Sequence, residues 1–178
     1  MGGYWADPNS GNFERRIPWL HPAVVWYLST LLEETSHVLE FGSGGSTLFF
    51  ADRCKSVTSI ETKQQWADEV VKVKPPNATV IYQPERVKHP KFDRQFDLML
   101  IDGDPVEYRA DYILAAPFLL VDGGVCVVDN YNRPEYASEI AWLKSHSKHS
   151  IFFDVNPPNH RHACTAFFLN NGGERLYL

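Results

Sequence analysis

Cysteine is scarce: only Cys54, Cys126 and Cys164 occur among 178 residues. Their number is odd and their spacing fits no zinc pattern, which argues against a disulfide framework or a zinc module. Cys54 and Cys126 lie beside or within apolar, strand-like runs, so they read as buried free thiols of a reducing, cytoplasmic compartment. No apolar stretch reaches the roughly 18 residues that a membrane span requires. A basic segment followed by an apolar one is missing from the N-terminus, so no signal peptide is expected. Met1-Gly2-Gly3 begins like a myristoylation signal, but Ala6 stands where Ser or Thr is needed. Positive charge is not in excess either. Lys and Arg number 17 against 22 Asp and Glu, a formal net charge of −5. Phosphate binding wants a basic face, so nucleic acid is not the expected partner. Internal repeats, low-complexity segments and linkers are absent, and the expectation is one domain over 1–178.

What is present is globular. Apolar residues make up 44% and charged residues 22%, enough for a sizeable core. Residues 1–19 are polar, aromatic and turn-rich, and read as an extended arm. A leading helix over 20–34 opens at His21-Pro22, with Val24, Val25, Leu28, Leu31 and Leu32 on one face. His37 to Phe41, Ser56 to Ile60, Ala78 to Tyr82, Phe96 to Ile101 and Val125 to Val128 read as strands. Helix signals stand between most of them. Thr62 and Gln65 form a capping-box pattern. Asp104-Pro105-Val106-Glu107 reads as an N-cap followed by Pro at the first helical position. Pro134 opens a further helix to about Lys144. The segment 83–95 holds Pro84 and Pro90 and lacks periodicity, so its helix is expected to be short or missing. Strands at His149–Asp154 and Cys164–Leu169 are too close in sequence for a parallel crossover, and an antiparallel hairpin over 149–170 follows. The fold class is therefore α/β: a Rossmann-like, doubly wound, mostly parallel seven-stranded sheet with an antiparallel C-terminal hairpin and helices on both faces.

In such a sheet a ligand binds beyond the carboxyl ends of the strands. Those ends hold Glu40 to Ser46, Glu61, Gln83, Asp102 to Asp104, and Asp129 to Tyr131. Acids gathered at one rim are costly unless they meet a ligand, a metal or water. The turn Gly42-Ser43-Gly44 lies between a strand and a helix and allows close backbone approach. Glu61 ends strand two, nineteen residues after Gly42, where an acid can accept bonds from both hydroxyls of a ribose. The dinucleotide fingerprint wants Gly or Ala last in G-x-G-x-x-G/A, and Thr47 stands there. No Y-x-x-x-K pair of the short-chain dehydrogenase type lies nearby.

The stretch Val38-Leu39-Glu40-Phe41-Gly42-Ser43-Gly44-Gly45-Ser46-Thr47 resembles motif I of class I S-adenosylmethionine-dependent methyltransferases. Thr58-Ser59-Ile60-Glu61 with Trp66, Phe96-Asp97-Leu98-Met99-Leu100-Ile101-Asp102-Gly103, and Leu119-Leu120-Val121-Asp122-Gly123-Gly124 are similar to the segments that follow in that family. The resemblance covers the expected cofactor-binding core, 37–130. It implies that Gly42, Ser43, Gly44 and Ser46 lie against the methionine part of the cofactor, with Glu40 bracing the turn. It further implies that Glu61 holds the ribose, that Gln83 meets the adenine edge, and that Asp102 lies near the sulfonium. An acidic rim also suits a cationic sulfonium ligand with an amino group better than a pyrophosphate, independently of the resemblance.

Ile101-Asp102-Gly103 followed by Tyr108 and then Asp129-Asn130 looks like the catechol-type O-methyltransferases. There the corresponding Asp and Asp-Asn pair hold a divalent metal, which makes Asp102, Asp129 and Asn130 the candidate metal ligands here. The catalytic lysine of those enzymes falls at Pro105, so a metal is not favoured. If the acceptor must lose a proton, Asp104, Asp129 and His160 are the candidate bases, with His21 and His162 behind them. No Asn/Asp-Pro-Pro-Tyr/Phe element of the nucleic-acid amino methyltransferases occurs. The expected function is S-adenosylmethionine-dependent methyl transfer to an oxygen of a small-molecule or sugar-like acceptor, with S-adenosylhomocysteine as product. The alternatives are an NAD-dependent oxidoreductase and a non-catalytic S-adenosylmethionine-binding domain.

Overall fold

The structure, a computed structural model, describes residues 13–155 and 163–171. Seven strands form one sheet in the order β3-β2-β1-β4-β5-β7-β6. Their ranges are β1 His37–Phe41, β2 Ser56–Glu61, β3 Ala78–Tyr82, β4 Phe96–Ile101, β5 Leu120–Asp129, β6 Ser147–Val155 and β7 Ala163–Asn170. Strands β1 to β5 run parallel, and β7 inserts antiparallel between β5 and the edge strand β6. The helices are α1 Pro22–Leu31, α2 Gly45–Ala51, α3 Gln64–Val73, α4 Val106–Leu119 and α5 Ala137–Ser145. No helix among the described residues is long and apolar enough to cross a membrane. All three cysteines are free and buried.

The central strands are apolar on both sides because both faces are covered. The period of two divides them between two half-cores. Leu39, Phe41, Met99 and Ile101 pack against Tyr112, Ile113 and Ala116 of α4 and Ile140 and Leu143 of α5. Val38, Leu98 and Leu100 pack on the other face against Val24 and Leu28 of α1 and Phe49 and Phe50 of α2. The same alternation turns Glu40 and Ser59 toward α2. At the heart of the first half-core the rings of Phe41 and Tyr112 stack at 4.3 Å.

Several local expectations are corrected. Thr62 does not cap α3. The helix starts at Gln64 after Lys63, with no side-chain cap bond. The backbone N–H groups of Thr62 and Lys63 are taken instead by the Glu61 carboxylate, at 2.9 Å each. Asp104 does not cap α4 either, because Pro105 occupies the N-cap position and places the Asp104 side chain one residue too early. Strand β5 begins at Leu120, so Gly123-Gly124 does not precede it. The pair lies in an irregular stretch of the strand, where the register against β4 shifts between Phe96 and Leu98, and Gly123 has φ +76. The helix expected from Pro134 begins as a 3₁₀ turn, Pro134–Tyr136. The segment between β3 and β4 carries no helix or strand. It leaves a cleft of about 160 Å³ between Ile60, Ile81, Phe92 and Tyr112. Residues 1–12 of the expected arm lie outside the described residues.

Candidate functional site

The strand order sets the ends of β2, β1, β4 and β5 side by side. Glu61, the glycine turn, Asp102 and Asp129 therefore share one rim, as their positions at strand ends require. Gly42 leaves β1 with φ +99, and its N–H donates to the Ile60 carbonyl at 2.8 Å. It lies directly on Gly103, the residue after Asp102. A Cβ on Gly42 would stand 2.8 Å from the Gly103 Cα, and one on Gly103 would stand 2.7 Å from the Gly42 nitrogen. The two turns touch backbone to backbone, so each requires glycine.

Glu40 braces the turn from below and is 1% exposed. Its Oε2 accepts from the Thr47 hydroxyl at 2.6 Å and the Ser59 hydroxyl at 2.7 Å. Thr47 Oγ1 in turn accepts the Gly44 N–H at 2.9 Å. Glu40 Oε1 has no hydrogen-bond partner, and it is the one such buried side-chain atom among the described residues. Burial pushes this carboxyl up to about 7, against the pull of the Ser46, Thr47 and Ser59 hydroxyls.

Glu61 is fully engaged within the chain. Its Oε2 accepts from the Ser43 N–H at 2.9 Å and the Ser43 hydroxyl at 3.0 Å. Its Oε1 takes the two N–H groups that start α3. The Trp66 indole N–H donates to the Ser43 carbonyl and its ring lies against Gly44, with Phe13 packed on it at 5.4 Å. Gln83 is half-buried. Its N–H donates to the Glu61 carbonyl at 2.8 Å, which holds β3 to β2 at the rim.

Because β2 and β4 flank β1, the loops that follow them meet over the end of β1. The Thr62 hydroxyl donates to the Asp104 carbonyl at 2.5 Å, and Lys63 Nζ pairs with Asp104 Oδ2 at 3.0 Å. Asp104 is thus an exposed clasp residue.

The β4 and β5 ends are tied by Arg109, which is 3% exposed. Its guanidinium donates to the carbonyls of Gly103 at 2.8 Å, Asp129 at 2.8 Å and Asp102 at 2.7 Å, and to Asp102 Oδ1 at 3.1 Å. Asp129 Oδ1 accepts from the Thr165 hydroxyl at 2.7 Å. Asn130 is left-handed, φ +53, and its Oδ1 accepts from Arg133 at 3.2 Å. Burial and the neighbouring Asp129 push the Asp102 carboxyl up, while Arg109 pulls it back. Burial also pushes the Asp129 carboxyl up, opposed by the Thr165 hydroxyl. No group of three or more His, Cys, Asp or Glu side chains arranged to hold a metal ion occurs among the described residues.

His21 caps α1, with Nδ1 accepting the Ala23 N–H at 3.1 Å. His160 and His162 lie outside the described residues. Sequence reasoning missed Arg109, although the signal was present. Arg109, Tyr112, Ile113 and Ala116 fall at i, i+3, i+4 and i+7, which puts the arginine on the buried stripe of α4. It also missed Gly103 as the partner of Gly42, since that contact depends on the strand order.

A sheet of order 3-2-1-4-5-7-6 with only β7 reversed and helices on both faces is the fold of the class I S-adenosylmethionine-dependent methyltransferases. Among solved structures the chain is similar to the N-methyltransferase NodS from Bradyrhizobium japonicum (16% identity, 93% of this chain and 99% of that one, TM-score 0.65). It is similar to a SAM-dependent O-methyltransferase from Thermotoga maritima (15% identity, 90% and 69%, TM-score 0.65). It is also similar to an rRNA methylase from Streptococcus thermophilus (11% identity, 86% and 100%, TM-score 0.66). No protein-family profile matches the chain, and no curated protein matches it in sequence.

Proposed function

We propose that the protein transfers a methyl group from S-adenosylmethionine to an oxygen of a small or sugar-like acceptor. The observation that carries this reading is Glu40 Oε1, a buried carboxylate oxygen without a partner under a glycine turn. A buried polar atom of this kind calls for a donor, and the ammonium of a sulfonium amino acid supplies one. Gly42, Ser43, Gly44 and Ser46 would seat the methionine part. Glu61 would exchange bonds within the chain for the ribose hydroxyls, Gln83 would line the adenine edge, and Asp102 would face the sulfonium. When bound, S-adenosylmethionine supplies an electrophilic methyl group for in-line displacement.

The chain's own task is then to hold acceptor and donor in line and to exclude water. Of the candidate bases, Asp104 is ion-paired with Lys63 in the open, whereas Asp129 is buried with its carboxyl pushed up. That shift brings Asp129 nearer the working pH at which a general base serves best. The formal charge of −5 supports a small acceptor over RNA. One structural relative is described as an rRNA methylase, so the test includes RNA. Methyl-labelled S-adenosylmethionine is incubated with catechols, sugars, amines and a short RNA. Label on a hydroxyl acceptor is expected. Label on RNA alone would overturn the acceptor assignment. Binding without transfer to any acceptor would favour a non-catalytic binding domain.

A further inference from the structure

We infer that Arg109 is the chain's own counter-ion for the acid pair at the ends of β4 and β5, and that this pair works without a divalent cation. The inference rests on the proposed function for what faces the rim, but not for its test. In the catechol-type enzymes that this stretch resembles, the corresponding three side chains hold a metal. A hard divalent cation takes oxygen ligands and is bound through one or more carboxylates, with waters or neutral oxygens completing the shell. Here one oxygen of each candidate ligand is already held. Asp102 Oδ1 accepts from Arg109, Asp129 Oδ1 from Thr165, and Asn130 Oδ1 from Arg133.

The charge account agrees. Asp102 and Asp129 bring two formal negative charges. Arg109 bonds the first carboxylate directly, and the charges of Arg109 and Arg133 both act on the second. The two guanidinium groups balance the pair, and a further dication would meet their repulsion. Arg109 cannot withdraw readily, because three of its four bonds go to the backbone carbonyls of Asp102, Gly103 and Asp129. It fixes the two strand ends relative to each other. Arg109 is therefore a positioning residue.

The test uses thermal unfolding of the full chain without any methyl donor, so its failure and the failure of the proposed function are separable. The wild type should melt at the same temperature in EDTA and in millimolar Mg²⁺ or Mn²⁺. Arg109→Gln should melt several degrees lower in EDTA, because the carbonyls of Asp102, Gly103 and Asp129 lose their donor. Arg109→Lys should recover part of the loss, and adding Asp102→Asn to Arg109→Gln should recover part of it by removing the uncompensated carboxylate. Two results would overturn the inference: saturable stabilisation of the wild type by Mg²⁺ or Mn²⁺ that EDTA reverses, or an Arg109→Gln loss that Asp102→Asn leaves unchanged. If Arg109→Gln does not fold, the wild-type metal titration and Arg109→Lys with and without Asp102→Asn still decide the matter.

Discussion

Replacing Glu40 by Gln should stabilise the ligand-free protein above neutral pH and destabilise it in mild acid. Folding moves the Glu40 carboxyl from 4.5 to about 7, chiefly by burial. The folded state thus holds a proton that the unfolded chain releases. The stability associated with that proton is fully present below about pH 4.5 and is lost as the pH rises through about 7. At about 1.4 kcal/mol per pH unit, complete ionisation costs about 3 kcal/mol. Gln carries no such dependence, but its amide leaves a donor unpaired where Oε1 now lies, at a cost of about 1–2 kcal/mol. Glu40→Gln should therefore lose about 1–2 kcal/mol near pH 5 and gain about 1–2 kcal/mol near pH 8. For a chain of this size that is a shift in melting temperature of roughly 2–8 °C in each direction. Asp102 shifts the same way, so the wild type's own pH profile does not isolate Glu40. The difference between variant and wild type does. Urea or thermal unfolding at half-unit steps of pH reads it, and a difference that stays constant with pH would refute the reasoning.

Three further outcomes are expected. Gly103→Ala should destabilise by about 2–3 kcal/mol in urea unfolding, because its Cβ would press on the Gly42 nitrogen at 2.7 Å. Glu61→Gln should weaken S-adenosylhomocysteine binding by roughly 10–100-fold in calorimetry. It should also cost about 1–2 kcal/mol of stability, since the carboxylate holds the Ser43, Thr62 and Lys63 N–H groups. Asp104→Ala should change stability by less than about 1 kcal/mol, as expected of an exposed ion pair. In stopped-flow fluorescence it should speed ligand association by releasing Lys63, while the Thr62 hydroxyl keeps its bond to the residue 104 carbonyl.

Four of the five parallel strands were legible because each is a short run ending at or beside an acid, Phe96–Ile101 by its continuous apolar character and Ser56–Ile60 by its alternation up to Glu61; β3 was legible from the Pro75-Pro76-Asn77 stop before it. The hairpin was legible because seven strands and a short last connection leave no other geometry. Local caps were less so. The Thr62 hydroxyl can bond its own helix or cross to Asp104, and the Glu61 carboxylate decides by taking the nearby N–H groups first. The Gly42–Gly103 contact and the clasp over β1 join residues about 40–60 positions apart. They arise only once β1 lies between β2 and β4. Arg109 was readable from helical spacing, but a charge on a buried stripe is discounted until its acceptors, the carbonyls at two strand ends, are in view.

The central claim is that the rim seats a cationic sulfonium amino acid and not a dinucleotide. Calorimetric titration of the full chain with S-adenosylhomocysteine and, separately, with NAD tests it most directly. Saturable binding of S-adenosylhomocysteine, weakened by Glu40→Gln, with no heat from NAD, is the predicted result. Saturable binding of NAD with none of S-adenosylhomocysteine would contradict it.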